Sequence, residues 1–193
     1  MKIIDENNLI PDKKVLTKII KKHPLRKNPD NHIHNLIIKL SEQCCIELDK
    51  NKDVTLFLTE NVSLKSIYEY VLFHEFSHIF DKLNPEFKYA DIKRDALSDT
   101  EKEAVMEIWN VYIDSRLNRF GLFKIEDENQ ERQFIIGKEY QKLIINIETK
   151  LKFHIHFLQN RNVKNAKDII DNIWENPVQF LSYDDIINIT KAN

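Results

Sequence analysis

A chain of 193 residues with 42% hydrophobic and 31% charged content and a formal net charge of −2 has the make-up of one globular domain, or of a domain with an appended subdomain, able to bury a core. That balance excludes the strong basic field of a nucleic-acid binder, and no run approaches the roughly 20 apolar residues that a membrane span needs. The opening MKIIDENNLIPDKK has no apolar signal core, so the expectation is a cytoplasmic protein with neither nucleic acid nor membrane as partner.

Only two glycines occur, Gly121 and Gly137. Tight hairpins and phosphate-binding loops both lean on glycine, so the chain is expected to be mainly α within an α+β class and to lack a nucleotide loop. The two cysteines, Cys44 and Cys45, are adjacent in a stretch with helical spacing. A disulfide between neighbours cross-links nothing distant, so reduced, half-buried thiols are expected.

In chain order, Asp12 precedes Val15, Leu16, Ile19 and Ile20 at helical spacing, which predicts a first helix over 12–22. HPLRKNPDNH follows as a connector with two prolines. Apolar residues at 33, 36, 37, 40, 44 and 48 predict a second amphipathic helix over 33–48, and DKNKD then reads as a turn. DVTLFLTE at 53–60 has the β-branched and apolar density of a short strand. Ser63 is a candidate cap for a helix running through Ile67, Val71, Leu72, Ile79 and Leu83. Ser98-Asp99-Thr100-Glu101 has the form of a capping box and opens a helix that ends near Gly121. Beyond it, a long helical period from about 136 to 158 and two shorter helices, one near 164–175 and one capped at Ser182, are expected. The resulting organisation is a core over 1–123 and a C-terminal helical subdomain over 124–193.

The third of these helices carries VLFHEFSHIFD at 71–81. Residues four apart on a helix differ by about 40° around its axis, so His74 and His78 can aim two imidazoles at one ion, while Glu75, about 100° from His74, can reach a water on that ion. Metal-assisted hydrolysis needs that division: nitrogen ligands, an acidic third ligand, and a carboxylate that takes a proton from metal-bound water. His, Glu and His at these spacings arise by chance in a chain of this composition roughly two percent of the time. The bland reading, satisfied polar residues of a core, requires burying three such groups without function, which costs several kcal/mol.

A carboxylate can come from the next predicted helix, where Glu103, Glu107, Asn110, Asp114 and Asn118 make one polar stripe beside Ile108, Trp109 and Ile113. Glu107 and Asp114 are about 10.5 Å apart along the axis, so a single ion takes one of them.

On DVTLFLTE, VLFHEFSHIFD and EIWNVYIDSRLN, the region 50–120 resembles the zincin metallopeptidases, in the gluzincin-like branch that includes compact minigluzincins. The pattern Trp109, Asn110, Asp114, Asn118 is also similar to a WNxxxD element of VWA-associated metallopeptidases. The resemblance implies a zincin-like core, Zn2+ as cofactor, His74 and His78 as ligands, Glu75 as general base and a peptide or protein substrate. Gluzincins imply Glu107 as the third ligand, whereas the WNxxxD element implies Asp114, the residue taken here. Asp is one methylene shorter, about 1.5 Å, and requires a closer approach of its helix.

Other histidines carry less. His32 with His34, and His154 with His156, are spaced two apart in segments without a matching face, and His23 before Pro24 suits a helix end, where a partly cationic ring favours the dipole. Tyr68, Tyr112 and Arg116 are the candidate donors to a carbonyl oxygen in the transition state. The reading is a zinc-dependent metallopeptidase. Its alternatives are a zinc-stabilised regulatory or partner-binding protein with little proteolysis, and a helical interaction module without metal.

Overall fold

A computed structural model of the chain describes residues 1–10, 12–27, 32–42, 45–59, 68–89, 97–122 and 181–191, apart from the side chains of Val15, Lys27, Tyr68, Thr100, Glu103, Glu107, Asn118, Thr190 and Lys191. The chain gathers into two compact units, Met1–Pro85 and Glu86–Asn193. The boundary expected at 123/124 falls at the start of the stretch 123–180, outside the described residues. Among the described residues the elements are β1 (Lys2–Asp5), α1 (Lys13–Lys22), β2 (Asn35–Leu40), β3 (Cys45–Leu48), β4 (Val54–Leu58), α2 (Tyr68–Leu83), α3 (Asp99–Arg119) and α4 (Tyr183–Lys191). The fold is mixed α and β, which agrees with the α+β class. No helix among the described residues is long and apolar enough to cross a membrane.

The first unit is built on a four-stranded sheet in the order β1-β2-β4-β3. β1 and β4 both run parallel to β2, with Lys2 opposite Asn35 and Leu36 opposite Val54, and β3 closes the edge antiparallel to β4. One face carries Leu36, Ile38, Ile46, Val54, Leu56 and Leu58, all buried, while their neighbours Ile37, Thr55 and Phe57 are half-buried. This is the period of two that a sheet covered on one face imposes. α1 connects the parallel pair β1 and β2, the crossover that such a pair requires.

The helix predicted over 33–48 is therefore wrong. Its apolar positions fit a period of 3.6, but the residues that are buried, at 33, 36, 38 and 46, do not, and Leu40 is 45% exposed. Ile37-Ile38 prefers a strand, and pairing with β1 and β4 decides the matter. Cys45 consequently opens a strand and is exposed, not half-buried on a helix; Cys44 lies outside the described residues. The strand over 53–60 is present as β4, but three more accompany it. Glycine scarcity misled here because the β3–β4 turn manages without glycine: Lys52 takes φ 61°, and the Asp49 carboxylate accepts from the Asn51 and Asp53 amides at 2.8 Å each. Such Asx contacts replace the backbone freedom that glycine supplies. Asp53 then accepts from the Asn35 amide and side chain, which fixes the start of β4 against β2.

The helix ends follow local rules and were legible. Asp12 caps α1 by accepting from the Lys14 amide at 2.7 Å. At α3, the Ser98 amide and hydroxyl donate to Glu101 while the Glu101 amide donates to the Ser98 hydroxyl, so the capping box is complete. Its far end closes with Leu122 donating to the Leu117 carbonyl across Gly121 at φ 66°, a left-handed C-terminal cap. Ser182 caps α4 and shares the same reciprocal geometry with Asp185; those hydrogen bonds hold the Asp185 carboxyl below the ordinary carboxylate range. The cap expected at Ser63 and the helices expected over 136–158 and 164–175 lie outside the described residues.

In the second unit, α3 is buried at every described side chain from Ile108 to Leu117 except half-buried Asn110. A helix buried on nearly all sides is a central element, not a surface one. Trp109, fully buried, packs against Phe87 at 4.9 Å, Tyr183 at 5.6 Å and Tyr89 at 5.7 Å between ring centroids.

Candidate functional site

α2 has a dry back and a more open flank. Leu72, Phe73, Phe76, Ile79 and Phe80 are buried at the three- and four-residue spacings of a core-facing stripe. His74 and Glu75 are half-buried and His78 is buried. His74 and His78 stand on consecutive turns with ring centroids 5.1 Å apart and planes at 68°. Zn–N bonds of about 2.0–2.1 Å in tetrahedral geometry place two ligand imidazole centroids roughly 5 Å apart, so this pair fits a shared ion.

Tyr70, not singled out from the sequence, extends the row by one turn. Its hydroxyl lies 3.5 Å from Nδ1 of His74, a long contact, with the rings 5.9 Å apart. For Nε2 of His74 to offer its lone pair to a metal, Nδ1 must carry the proton and donate to the Tyr70 oxygen, the outer-shell support that ligating histidines usually have. The signal was present as Tyr70, His74 and His78 at intervals of four.

Behind the motif sits His23, the C-cap of α1, only 2% exposed. Its Nδ1 accepts from the Leu25 amide at 3.3 Å. Nε2 must then carry the proton, which it donates to the Phe73 carbonyl at 3.1 Å and shares with the Ser77 hydroxyl at 3.0 Å. His23 ends α1, as the sequence suggests. Ser77, inside the HEFSH run, donates to the same Phe73 carbonyl at 2.9 Å. Phe73 and Phe80 flank the imidazole at 5.8 and 4.7 Å. His23 therefore fixes the turn of α2 that bears the motif. His23→Ala is expected to destabilise the chain by about 2–4 kcal/mol through a cavity and lost buried hydrogen bonds, against about 1 kcal/mol for Ser77→Ala. Urea midpoints of the two variants measure this, and equal midpoints would remove His23 from the role.

Asp114 lies on α3 in the second unit and is 1% exposed; Asn110, one turn earlier, is half-buried. The side chain of Glu107 is outside the described residues, as is that of Tyr68. Among the described residues no group of three or more His, Cys, Asp or Glu side chains is gathered to hold a metal ion. His74, Glu75 and His78 thus share α2 in the first unit, and Asp114 lies on α3 in the second.

No protein-family model, curated protein or solved structure matches this chain.

The other candidates have structural partners. The Tyr112 hydroxyl accepts from the Leu181 amide at 2.9 Å and from the Arg116 guanidinium at 3.4 Å, and that guanidinium lies 4.8 Å from the Tyr112 ring centre. Both residues are buried and tie α3 to the segment that leads into α4. His32 and His34 are exposed with rings 5.9 Å apart. His154 and His156 lie outside the described residues.

Proposed function

We propose that this chain is a zinc-dependent metallopeptidase with a zincin-like core, acting on a peptide or protein substrate. The observation that carries the reading is the pairing of His74 and His78 at 5.1 Å on consecutive turns of α2, with Glu75 beside them on a helix anchored from behind by His23. The strand that precedes α2 in the chain, β4, belongs to a small sheet with an antiparallel edge, in keeping with the core that the resemblance implies.

Zinc held by Nε2 of His74, by His78 and by a carboxylate would supply Lewis acidity toward a water and a peptide carbonyl. Glu75, half-buried beside the two histidines on α2, is the general base that would take a proton from the attacking water and pass it to the leaving amine. Tyr70 holds the His74 ring in the tautomer that exposes Nε2 for binding. Asp114 is the favoured third ligand, and its burial suits a carboxylate whose charge is neutralised by a cation; Glu107 is its competitor.

Metal analysis of the purified chain beside His78→Ala, Asp114→Ala and Glu107→Ala, with peptide-library cleavage on the same samples, tests the reading. The expected result is one zinc per chain, lost in His78→Ala and in Asp114→Ala and kept in Glu107→Ala, with cleavage following the metal. Loss in Glu107→Ala alone of the two carboxylate variants reverses the ligand choice. A parent chain without stoichiometric zinc ends the proposal, and full zinc without cleavage of any library peptide moves the role to a zinc-stabilised binding protein.

A further inference from the structure

A cavity of about 260 Å³ opens in the first unit, on the side of α2 marked by Phe80. Its apolar wall is Ile3, Ile20, Ile33 and Phe80, and its polar rim includes Lys21 and Arg26. Ile20, Ile33 and Phe80 are buried, whereas Lys21 and Arg26 are exposed. The volume equals about nine water molecules at some 30 Å³ each, just under the range of drug-sized ligand pockets. It suits a small organic molecule.

Among the described residues the charge around the opening is one-sided: none of those lining the cavity is acidic, and His32 adds a third basic side chain. α1 carries five lysines and no acid along its length, and the lysine-lined surface of Lys13, Lys14, Lys18 and Lys22 adjoins the cavity through Thr17 and Lys21. A cleft with charge of one sign over apolar walls focuses the potential and raises the local concentration of the opposite ion. The bland explanation, lysines complementing the C-terminal end of the α1 dipole, accounts for Lys21 and Lys22 but not for Arg26, which lies beyond the helix. That helix end itself disfavours an anion, so affinity has to come from side chains, and the planar fork of Arg26 is the group suited to a carboxylate or phosphate.

We propose that this cavity binds a small amphipathic anion, a carboxylate or phosphate ester whose short apolar body lies on Ile20, Ile33 and Phe80 and whose head group is held by Arg26 and Lys21. Because Phe80 belongs to the helix of the HEFSH run and lies against His23 at 4.7 Å, an occupant would touch the packing behind that run. The proposal does not depend on the hydrolytic reading, and its test needs no activity.

The test is a titration of the full chain, labelled at the isoleucine methyls, with hexanoate, hexyl phosphate, inorganic phosphate and neutral hexanamide, followed by NMR. Saturable shifts at Ile3, Ile20 and Ile33 with hexanoate or hexyl phosphate are expected, with hexanamide and inorganic phosphate each at least about tenfold weaker, as the loss of a charge-assisted bond or of the buried chain requires. The stronger of the two anions names the head group. Arg26→Glu, at an exposed position, is expected to weaken binding at least about tenfold; Lys21→Gln serves as the second variant if Arg26→Glu changes the circular dichroism spectrum. Absence of saturable shifts with both anions at millimolar concentration overturns the proposal, as does binding indifferent to the variant at Arg26 or Lys21.

Discussion

Glu75→Gln is expected to keep zinc at the parental stoichiometry and to lower peptide hydrolysis by about two to four orders of magnitude. The amide is isosteric with the carboxylate, so the half-buried position of residue 75 and the packing of α2 are preserved, while the group that accepts a proton is gone; general-base contributions fall in that range. Zinc content measured by mass spectrometry, together with kcat/KM on the best library peptide, separates the two effects. Cleavage by Glu75→Gln at the parental rate would eliminate the general-base role. Loss of zinc together with cleavage would instead make Glu75 part of the binding shell. The pH profile gives a second readout, since its acidic limb in the parent should report a carboxylate and should be missing from the residual activity of the variant.

Trp109→Ala is expected to have the largest effect on stability. The indole is fully buried and meets Phe87, Tyr89 and Tyr183 within 4.9 to 5.7 Å, so its removal leaves a void bordered by three aromatic rings. Substitutions of this kind cost about 3–5 kcal/mol, a large part of the roughly 5–15 kcal/mol that holds a domain folded. Urea unfolding followed by far-UV circular dichroism, with Phe120→Ala as the control, tests this. Phe120 is 46% exposed, and its loss should cost about 0.5 kcal/mol or less. A midpoint for Trp109→Ala close to that of the control would mean that the aromatic cluster does not organise the second unit.

What the sequence disclosed depended on how far each decision reaches along the chain. α2 was legible because its apolar stripe, repeated over four turns, needs no partner to be read, and the caps at Ser98 and Ser182 are made by residues three apart. The sheet was hidden because its pairings are remote. Ile37 and Ile38 satisfy either period, KIID is four residues long, and only the register with Val54–Leu58 selects a strand. In the site, His74, Glu75 and His78 are a local pattern and were found as one. His23 is not: its contact with Phe73 spans 50 residues, and nothing in HPLRKNPD points toward α2. Tyr70 is the intermediate case: it stands at the same interval of four, but a tyrosine one turn before a histidine is as common in a core as in a site, and only its 3.5 Å contact with Nδ1 of His74 distinguishes it.

The arrangement of the sheet also sets an order of assembly. β3 and β4 meet across a short turn, with Leu48 opposite Val54, so their closure constrains little chain. β1 meets β2 only when Lys2 finds Asn35, after α1 has formed and crossed over, and the longer loop makes that step the slower one. In a hydrogen-exchange experiment the amides joining β2 and β4 should therefore be the last to exchange, and those joining β1 to β2 should open through a smaller, local event. The first strand made is the last one placed.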